Sequence, residues 1–249
     1  MTDLTAQFYS QVQSRLERLA GPNPAIDETI KLTADALEAG GVIQAFGTGH
    51  SEAFAMEIAG RAGGLIATNR IALRTLVLRG DRPVSALGGA EFERDPNVGE
   101  NLLALFDIQP NDIFMIASNS GVNGSILGVA LAAKARGHKV IAVTSLDHTM
   151  KVTPKHPSGK RLSEVADVVI DNLAPFGDST MALEGGIGIG AVSSITAAFI
   201  AQRITIGVAE TIRLRGKTPP VYLSANIPGG DEHNRALEDL YGDRIRREA

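Results

Sequence analysis

Residues 42–51 read VIQAFGTGHS, an apolar run of five residues that ends in a turn rich in glycine and hydroxyl groups. Residues 53–62, which follow the turn, have the composition of a helix. The stretch therefore predicts a buried strand, a tight turn and a helix. A strand that is apolar at nearly every position is typical of a parallel sheet covered by helices on both faces. The predicted fold class is α/β.

The same pattern recurs further along the chain. Residues 112–117 (DIFMIA) predict a strand, which is followed by a turn at 118–121 and an alanine-rich helix over 125–136. Further strands are predicted at 139–143, at 167–170 after a short helix at 161–166, and at 73–78. Because strands alternate with helices and such connections are right-handed, we expect a doubly wound parallel sheet.

Helices flank this unit at both ends. Periodic apolar residues predict helices over 3–20 and 24–39, which form an N-terminal helical segment (1–40) packed on a main domain of residues 41–249. The main domain ends in a helix over 190–213, an extended segment at 219–225 and a last helix over 231–247. Residues 80–101 and 146–162 are expected to be long binding loops.

Composition excludes several classes of protein. Hydrophobic residues make up 44% and charged residues 21% of the 249 residues, as in a soluble globular protein. The net charge of -4 provides no basic excess for nucleic acid, and the absence of cysteine excludes disulfides and thiolate metal sites. The uncharged stretch 185–202 contains glycines and polar residues, which favour a loop and a core or interface helix over a membrane span. We expect a cytoplasmic protein with no membrane partner.

Three predicted strands end in small polar segments: GTGHS at 47–51, SNSGVN at 118–123 and TS at 144–145. Ligands bind outside the carboxyl ends of parallel strands, and a helix N-terminus attracts anions. Two such turns in one sheet favour a phosphate site, although tight turns with helix caps remain the alternative. The first turn has Glu52 where a dinucleotide site has its third glycine, and no Gly-Lys-Ser/Thr follows. We therefore expect no nucleotide cofactor.

Residues 46–51 (FGTGHS), 118–123 (SNSGVN) and 143–145 (VTS) resemble the SIS family, the sugar isomerase domains that bind phosphosugars. Residues 155–161 (KHPSGKR) and 166–172 (ADVVIDN) resemble, more narrowly, bacterial sugar-isomerase-domain proteins of the UPF0309 type. The likeness covers about residues 40–245. It implies a flavodoxin-like sheet of five parallel strands and a homodimer or homotetramer whose site a neighbouring subunit completes.

The resemblance also implies a site for the phosphate of a sugar phosphate. Asn123 stands where the family usually has threonine, which keeps a hydrogen-bond donor but changes its reach. The residues expected to hold the phosphate are Gly47, Thr48, His50, Ser51, Ser118, Asn119, Ser120, Gly121, Asn123, Ser193 and Ser194.

Isomerisation of an aldose to a ketose passes through an enediolate, so it requires a base near the sugar. Glu57 lies six residues after Ser51 on the same predicted helix, among apolar neighbours, and is the candidate base. The alternative is an ion pair with Arg61, four residues further on. Phosphoheptose isomerases of the family carry histidine at the Glu57 position and glutamate at the Arg61 position. Because that metal-ligand pattern is broken here, we expect no metal.

Two other residues are candidates for catalysis. Gly89-Ala90-Glu91 resembles a segment of the N-acetylmuramic acid 6-phosphate etherases, in which the glutamate acts in lyase chemistry; Glu93 lies in the same loop. The second etherase glutamate would fall at Arg61, so that match is half complete, and Glu91 is otherwise a solvated loop acid. His148 follows the 144–145 strand end and is placed to reach a sugar hydroxyl.

These observations predict a phosphosugar-binding protein that acts as an aldose–ketose isomerase with Glu57 as its base. Two alternatives remain open: a non-catalytic phosphosugar sensor, and an etherase or lyase that uses Glu91 on an amino-sugar phosphate. The first 40 residues contain no helix-turn-helix pattern and no basic patch, which favours an enzyme over a DNA-binding regulator.

Overall fold

The computed structural model describes residues 3–246. Two helices open the chain, α1 (Leu4–Ala20) and α2 (Pro24–Glu38), close to their predicted bounds. The Asp3 carboxylate accepts hydrogen bonds from the first N–H groups of α1, and the Asn23 side chain caps α2 in the same way. Both helices pack on one side of the sheet, where Leu19 and Ile26 are fully buried.

Five parallel strands form the sheet: β1 (Ile43–Gly47), β2 (Thr68–Ile71), β3 (Ile113–Ala117), β4 (Lys139–Thr144) and β5 (Val168–Asp171). Their spatial order is β2-β1-β3-β4-β5. Every residue of β1 and β3 is buried, as their apolar sequences predict. The predicted doubly wound parallel sheet of five strands is confirmed.

Helices cover both faces of the sheet and create two separate cores. Successive strand residues point to opposite faces, so Ala45 and Met115 belong to one core while Phe46 and Ile116 belong to the other. The first core holds α2, α3 (Glu52–Ile58) and α10 (Ser193–Leu214), and the second holds α6 (Val98–Leu103) and α7 (Gly124–Ala135). The remaining α-helices of the described residues are α4 (Thr75–Leu78), α5 (Glu91–Arg94), α8 (Leu146–Thr149), α9 (Leu162–Val165) and α11 (Gly230–Glu238).

The strand predicted at 73–78 is wrong. The edge strand is β2, Thr68–Ile71, and residues 75–78 form α4. The error has a physical cause. The sequence of β2 is TNRI, which is not an apolar run, because its buried Asn69 binds the C-terminal segment. The buried Asn69 side chain donates to the Arg244 carbonyl at 2.7 Å and accepts from the Arg246 N–H at 2.8 Å.

The last helix is shorter than predicted: it ends at Glu238, and residues 242–244 form a separate turn. Residue 247, its predicted end, lies outside the described residues. The chain leaves the helix because Arg244 binds the start of the sheet. Its guanidinium donates to the Gly40 carbonyl at 2.8 Å and to the buried Asp112 carboxylate at 2.6 Å.

A small antiparallel hairpin precedes α10 and was not predicted. It pairs β6 (Ser179–Ala182) with β7 (Gly188–Ala191), in a region expected to be a glycine-rich loop. The helix that follows, α10, is long and apolar enough by composition to cross a membrane, and it is the one such helix in residues 3–246. It packs against α1, α2 and α3, in agreement with the predicted core helix.

Backbone-to-backbone contact between α6 and α7 leads to a first prediction. A Cβ atom added to Gly128 in α7 would lie 2.6 Å from the Pro96 carbonyl oxygen, too close for any real contact. We expect Gly128→Ala to lower the free energy of unfolding by about 1–3 kcal/mol, although alanine favours a helix by about 1 kcal/mol relative to glycine. Urea denaturation measures this change, and an unchanged or increased stability would contradict the packing described here.

Candidate functional site

The ends of β1 and β3 frame a cleft. These strands are neighbours in the sheet, but α3 follows β1 on one face and α7 follows β3 on the opposite face. The two connecting turns therefore diverge and leave a crevice between them, which is the usual ligand position in sheets of this strand order. We call this crevice the serine cleft. It is lined by His50, Ser51, Phe54, Ala117, Ser118, Asn119, Val143, Asn172, Ser193, Ser194 and Ala197.

The turn after β1 owes its shape to two glycines. A Cβ atom on Gly47 would overlap the Ser51 carbonyl oxygen, so the turn can fold back over the strand end only if this residue is glycine. Gly49 has φ +54°, which favours glycine as well. The turn places His50 and Ser51 at the mouth of the serine cleft, just before α3 begins.

Hydrogen bonds within the turn after β3, and from this turn to the residues that follow β4 and β5, hold it in place. The Ser118 hydroxyl accepts the Gly121 N–H at 3.1 Å, and the Asn119 carbonyl accepts the Ser145 N–H at 3.2 Å. The Asn172 amide donates to Asn119 Oδ1 at 3.1 Å. Asn172 was not among the predicted site residues. Its position directly after the fifth strand could have identified it, because ligands bind at the carboxyl ends of parallel strands.

The N-terminus of α10 completes the serine cleft. Asp178 caps the helix, because its carboxylate accepts the Ser193 N–H at 2.9 Å and the Ser193 hydroxyl at 2.6 Å. Within residues 3–246, the N–H groups of Ser194 and Ile195 have no acceptor, and neither the Ser194 nor the Ser51 hydroxyl has a hydrogen-bond partner. Free N–H groups at the start of a helix of 22 residues favour an anion.

The serine cleft brings together six of the predicted phosphate-binding residues: His50, Ser51, Ser118, Asn119, Ser193 and Ser194. Gly47 and Thr48 instead line a second cleft on the other side of the same turn. Ser120, Gly121 and Asn123 line neither cleft. Among the described residues no carboxylate lines the serine cleft, so an anion would meet neutral donors and one imidazole there.

The second cleft, which we call the acidic cleft, differs in charge. Glu52 forms an ion pair with Arg74 at 2.7 Å, and the Glu93 carboxylate accepts hydrogen bonds from Thr48 at 3.0 Å and Asn123 at 2.5 Å. The donor that the sequence assigned to phosphate at Asn123 is therefore already bound to a carboxylate. The lining residues are Gly47, Thr48, Gly49, Glu52, Leu73, Arg74, Leu87, Gly89, Phe92 and Glu93.

The predicted base, Glu57, lines neither cleft. Its carboxylate forms an ion pair with Arg61 on α3 and accepts a hydrogen bond from Gln202 on α10 at 2.7 Å. The ion pair is the alternative role that the spacing allowed. These two contacts favour a role for Glu57 in joining the two helices.

Glu91 and His148 also lie outside both clefts. Glu91 is exposed at the start of α5. The His148 Nδ1 accepts the Gly177 N–H at 2.9 Å, and its ring stacks on Phe176 with 5.2 Å between ring centres. A hydrogen bond from Lys151 is the main cause that lowers the pKa of Asp147, so a negative charge lies next to this histidine.

No group of three or more histidine, aspartate and glutamate side chains converges as a metal site within the described part of the chain. His156 lies in the 155–161 segment, which carries several basic residues. Its Nδ1 is hydrogen-bonded to the Ser158 hydroxyl at 2.9 Å, and burial lowers the pKa of its imidazole. His233 bonds to the Val221 carbonyl at 2.9 Å. Both rings therefore have local partners away from the serine cleft.

The sheet order defines a doubly wound α/β protein, with a crevice between β1 and β3, where the strand order reverses. Comparison with known proteins agrees: the model of the SIS domain matches residues 7–145. A UPF0309 protein of Listeria monocytogenes serovar 1/2a is 40% identical over 240 residues, which cover 96% of this chain and 97% of that protein. The chain belongs to the SIS domain family.

Solved structures share the fold at low sequence identity. A phosphoheptose isomerase from Francisella tularensis superposes with a TM-score of 0.57 at 19% identity, over 84% of this chain and 100% of that one. A phosphoheptose isomerase from Neisseria gonorrhoeae gives a TM-score of 0.51 at 20% identity, over 82% of this chain and 96% of the other. At these identities the likeness shows the common fold.

The geometry of the serine cleft leads to a second prediction. The double variant Ser51→Ala, Ser194→Ala removes two unpaired hydroxyls, and a hydrogen bond to a charged group contributes about 1.5–3 kcal/mol. We expect the affinity for inorganic phosphate, measured by calorimetry, to fall by roughly 100-fold or more. Ser10→Ala, on the exposed face of α1, is the control.

Ser120→Ala separates the sequence-based and structure-based assignments. Ser120 was predicted to bind phosphate but lies outside the serine cleft. A large loss of phosphate affinity in Ser120→Ala, with none in the double variant, would move the phosphate to the α7 side of the sheet.

Proposed function

We propose that this chain binds a sugar phosphate in the serine cleft and interconverts its aldose and ketose forms in the cytoplasm. One observation carries the phosphate-binding part of this proposal: neutral hydroxyl, amide and helix N-terminal donors converge in a cleft that no described carboxylate lines. Membership in the SIS family supports it, as does the fold shared with two phosphoheptose isomerases.

The phosphate would be the anchor of the substrate. Ser51 and Ser194 supply hydroxyls without a described partner, and Ser118, whose hydroxyl accepts the Gly121 N–H, still has its own proton to donate. The unbonded N–H of Ser194, in the first turn of α10, is a further donor. Several hydrogen bonds to one dianion hold it firmly while the uncharged sugar extends away. His50 is at the mouth of the cleft and exposed, so it is placed to meet the sugar.

The reaction moves one proton between two carbons. A base takes the proton from the carbon next to the carbonyl, the electron pair forms the enediolate, and the proton returns to the former carbonyl carbon. The hydroxyl proton moves in the same sense, from the hydroxyl oxygen to the former carbonyl oxygen, through an acid or through water. That Glu57 is the base stays a prediction, and its contacts with Arg61 and Gln202 favour a structural role instead.

A non-catalytic sensor is the second candidate function. The observation that favours it is the same lack of a carboxylate among the described residues of the serine cleft, because binding needs no base. A lyase that uses Glu91 receives no such support, since Glu91 is exposed and outside both clefts.

We also propose that the chain forms a homodimer or homotetramer whose subunits share the site. The apolar helix α10 starts at the serine cleft and leaves large side chains exposed along its length: Ile206 is 63% and Leu214 71% exposed. Burial of such side chains against a second subunit would stabilise an assembly.

Deuterium exchange provides the third prediction and tests the proposed reaction. In D₂O, the protein should exchange the proton at C1 or C2 of at least one sugar in a panel of aldose and ketose phosphates, as followed by NMR. Glu57→Gln tests the sequence-based base. If Glu57 only joins α3 to α10, the exchange rate of Glu57→Gln should stay within about threefold of the wild-type rate. A decrease of roughly 10²–10⁴-fold would instead identify Glu57 as the base. Tight binding without exchange of any sugar would favour the sensor.

A further inference from the structure

Glu93 connects the two strand-end turns that frame the site. Its Oε1 accepts a hydrogen bond from the Thr48 hydroxyl at 3.0 Å, in the turn after β1. The same oxygen accepts from Asn123 Nδ2 at 2.5 Å, in the turn after β3. One carboxylate therefore bridges both turns, although its own loop is distant from each of them in sequence.

The backbone around Glu93 is pinned to the start of α7. The Ser125 hydroxyl donates to the Glu93 carbonyl at 2.6 Å. A Cβ atom on Gly124 would overlap the Arg94 carbonyl oxygen, so only glycine lets the loop lie this close to the helix. Because the backbone is held and Oε1 is anchored twice, the position of the carboxylate is fixed before any ligand arrives.

The second oxygen of Glu93 remains available. Oε2 has no hydrogen-bond partner within residues 3–246, and it lies 3.9 Å from the position of an added Cβ atom on Gly49. Gly49 lines the acidic cleft and His50, the next residue, lines the serine cleft. Adjacent Cα atoms are about 3.8 Å apart, so Oε2 lies over the thin turn between the two clefts.

Position and charge distinguish Glu93 from the other nearby carboxylates. Glu57 also has both of its contacts on Oε1, but it lines neither cleft. Glu52 lines the acidic cleft but forms an ion pair with Arg74, and Glu91 is exposed and outside both clefts. A general base needs a free lone pair in a fixed position near the substrate, and Glu93 offers one in a cleft wall with no cation bound to it.

We propose that Glu93 is the general base of the reaction, with Oε2 as the proton acceptor; this rests on the proposed isomerase function. With the phosphate in the serine cleft, the far end of the sugar crosses the Gly49 turn and meets Oε2. The C–H bond breaks, its proton passes to Oε2, its electron pair forms the enediolate, and Oε2 returns the proton to the neighbouring carbon. Thr48 and Asn123 are positioning residues that direct Oε2 towards the turn.

The test is proton exchange by Glu93→Gln, which keeps the shape of the side chain and an acceptor for Thr48 and Asn123. We expect exchange at C1 or C2 to fall by roughly 10²–10⁴, while the affinity for the same sugar phosphate stays within about threefold. Glu28→Gln, on the exposed face of α2, makes the same chemical change away from both clefts, and this control should exchange at the wild-type rate. Thermal unfolding of both variants reports whether the fold is intact.

Asn123→Asp is a second variant, because it replaces the amide that donates to Glu93 Oε1 by a second negative charge. We expect it to lower the exchange rate by a larger factor than it lowers the affinity for the sugar phosphate. The inference is overturned if the wild type exchanges and folded Glu93→Gln does so at the same rate; the isomerase function then stands. It is also overturned if Glu93→Gln loses binding and exchange in equal measure, which indicates a structural role. A wild type that binds sugar phosphates tightly and exchanges none overturns the isomerase function itself.

Discussion

The site depends on the way in which β1 and β3 share a sheet but send their helices to opposite faces. The main-chain hydrogen bonds hold the two strands side by side, yet α3 packs in one core and α7 in the other. The turns after these strands therefore separate, and small polar side chains of both turns, among them Ser51 and Ser118, line the gap. The serine cleft follows from strand order and crossover handedness, before any particular side chain is considered.

This dependence explains which parts of the fold the sequence predicts. Strands β1 and β3 are buried on both faces, so their apolar runs identify them, and the glycine turn after each marks the start of a helix. The edge strand β2 was missed because its sequence, TNRI, serves contacts with the C-terminal segment: Asn69 binds the backbone of Arg244 and Arg246. The end of α11 was misplaced for the same reason. Contacts between segments far apart in sequence leave no periodic signal.

The candidate site also combines features that a local sequence pattern predicts with contacts between distant segments that it does not. Residues in the turns that follow strands, such as Ser51 and Ser118, were predicted from local pattern and do line the serine cleft. The importance of Glu93 was not predictable, because it depends on the Gly124 contact and on donors 45 and 30 residues away in sequence. Helical spacing correctly allowed the Glu57–Arg61 pair but cannot reveal Gln202, which is brought to Glu57 by the packing of α10 on α3.

The two clefts separate two charges that a phosphosugar isomerase must keep apart. Two like unit charges 4 Å apart repel by about 4 kcal/mol at an effective dielectric constant of about 20, so a carboxylate within the serine cleft would cancel the contribution of two or more hydrogen bonds to phosphate. A base is still required, at the end of the sugar remote from the phosphate. The Gly47–Gly49 turn lies between the neutral donors of the serine cleft and Glu93, which lines the acidic cleft, and this is the separation that the proposed reaction requires. A bulkier residue at Gly47 would collide with the Ser51 backbone, so it would displace the turn that separates the two clefts.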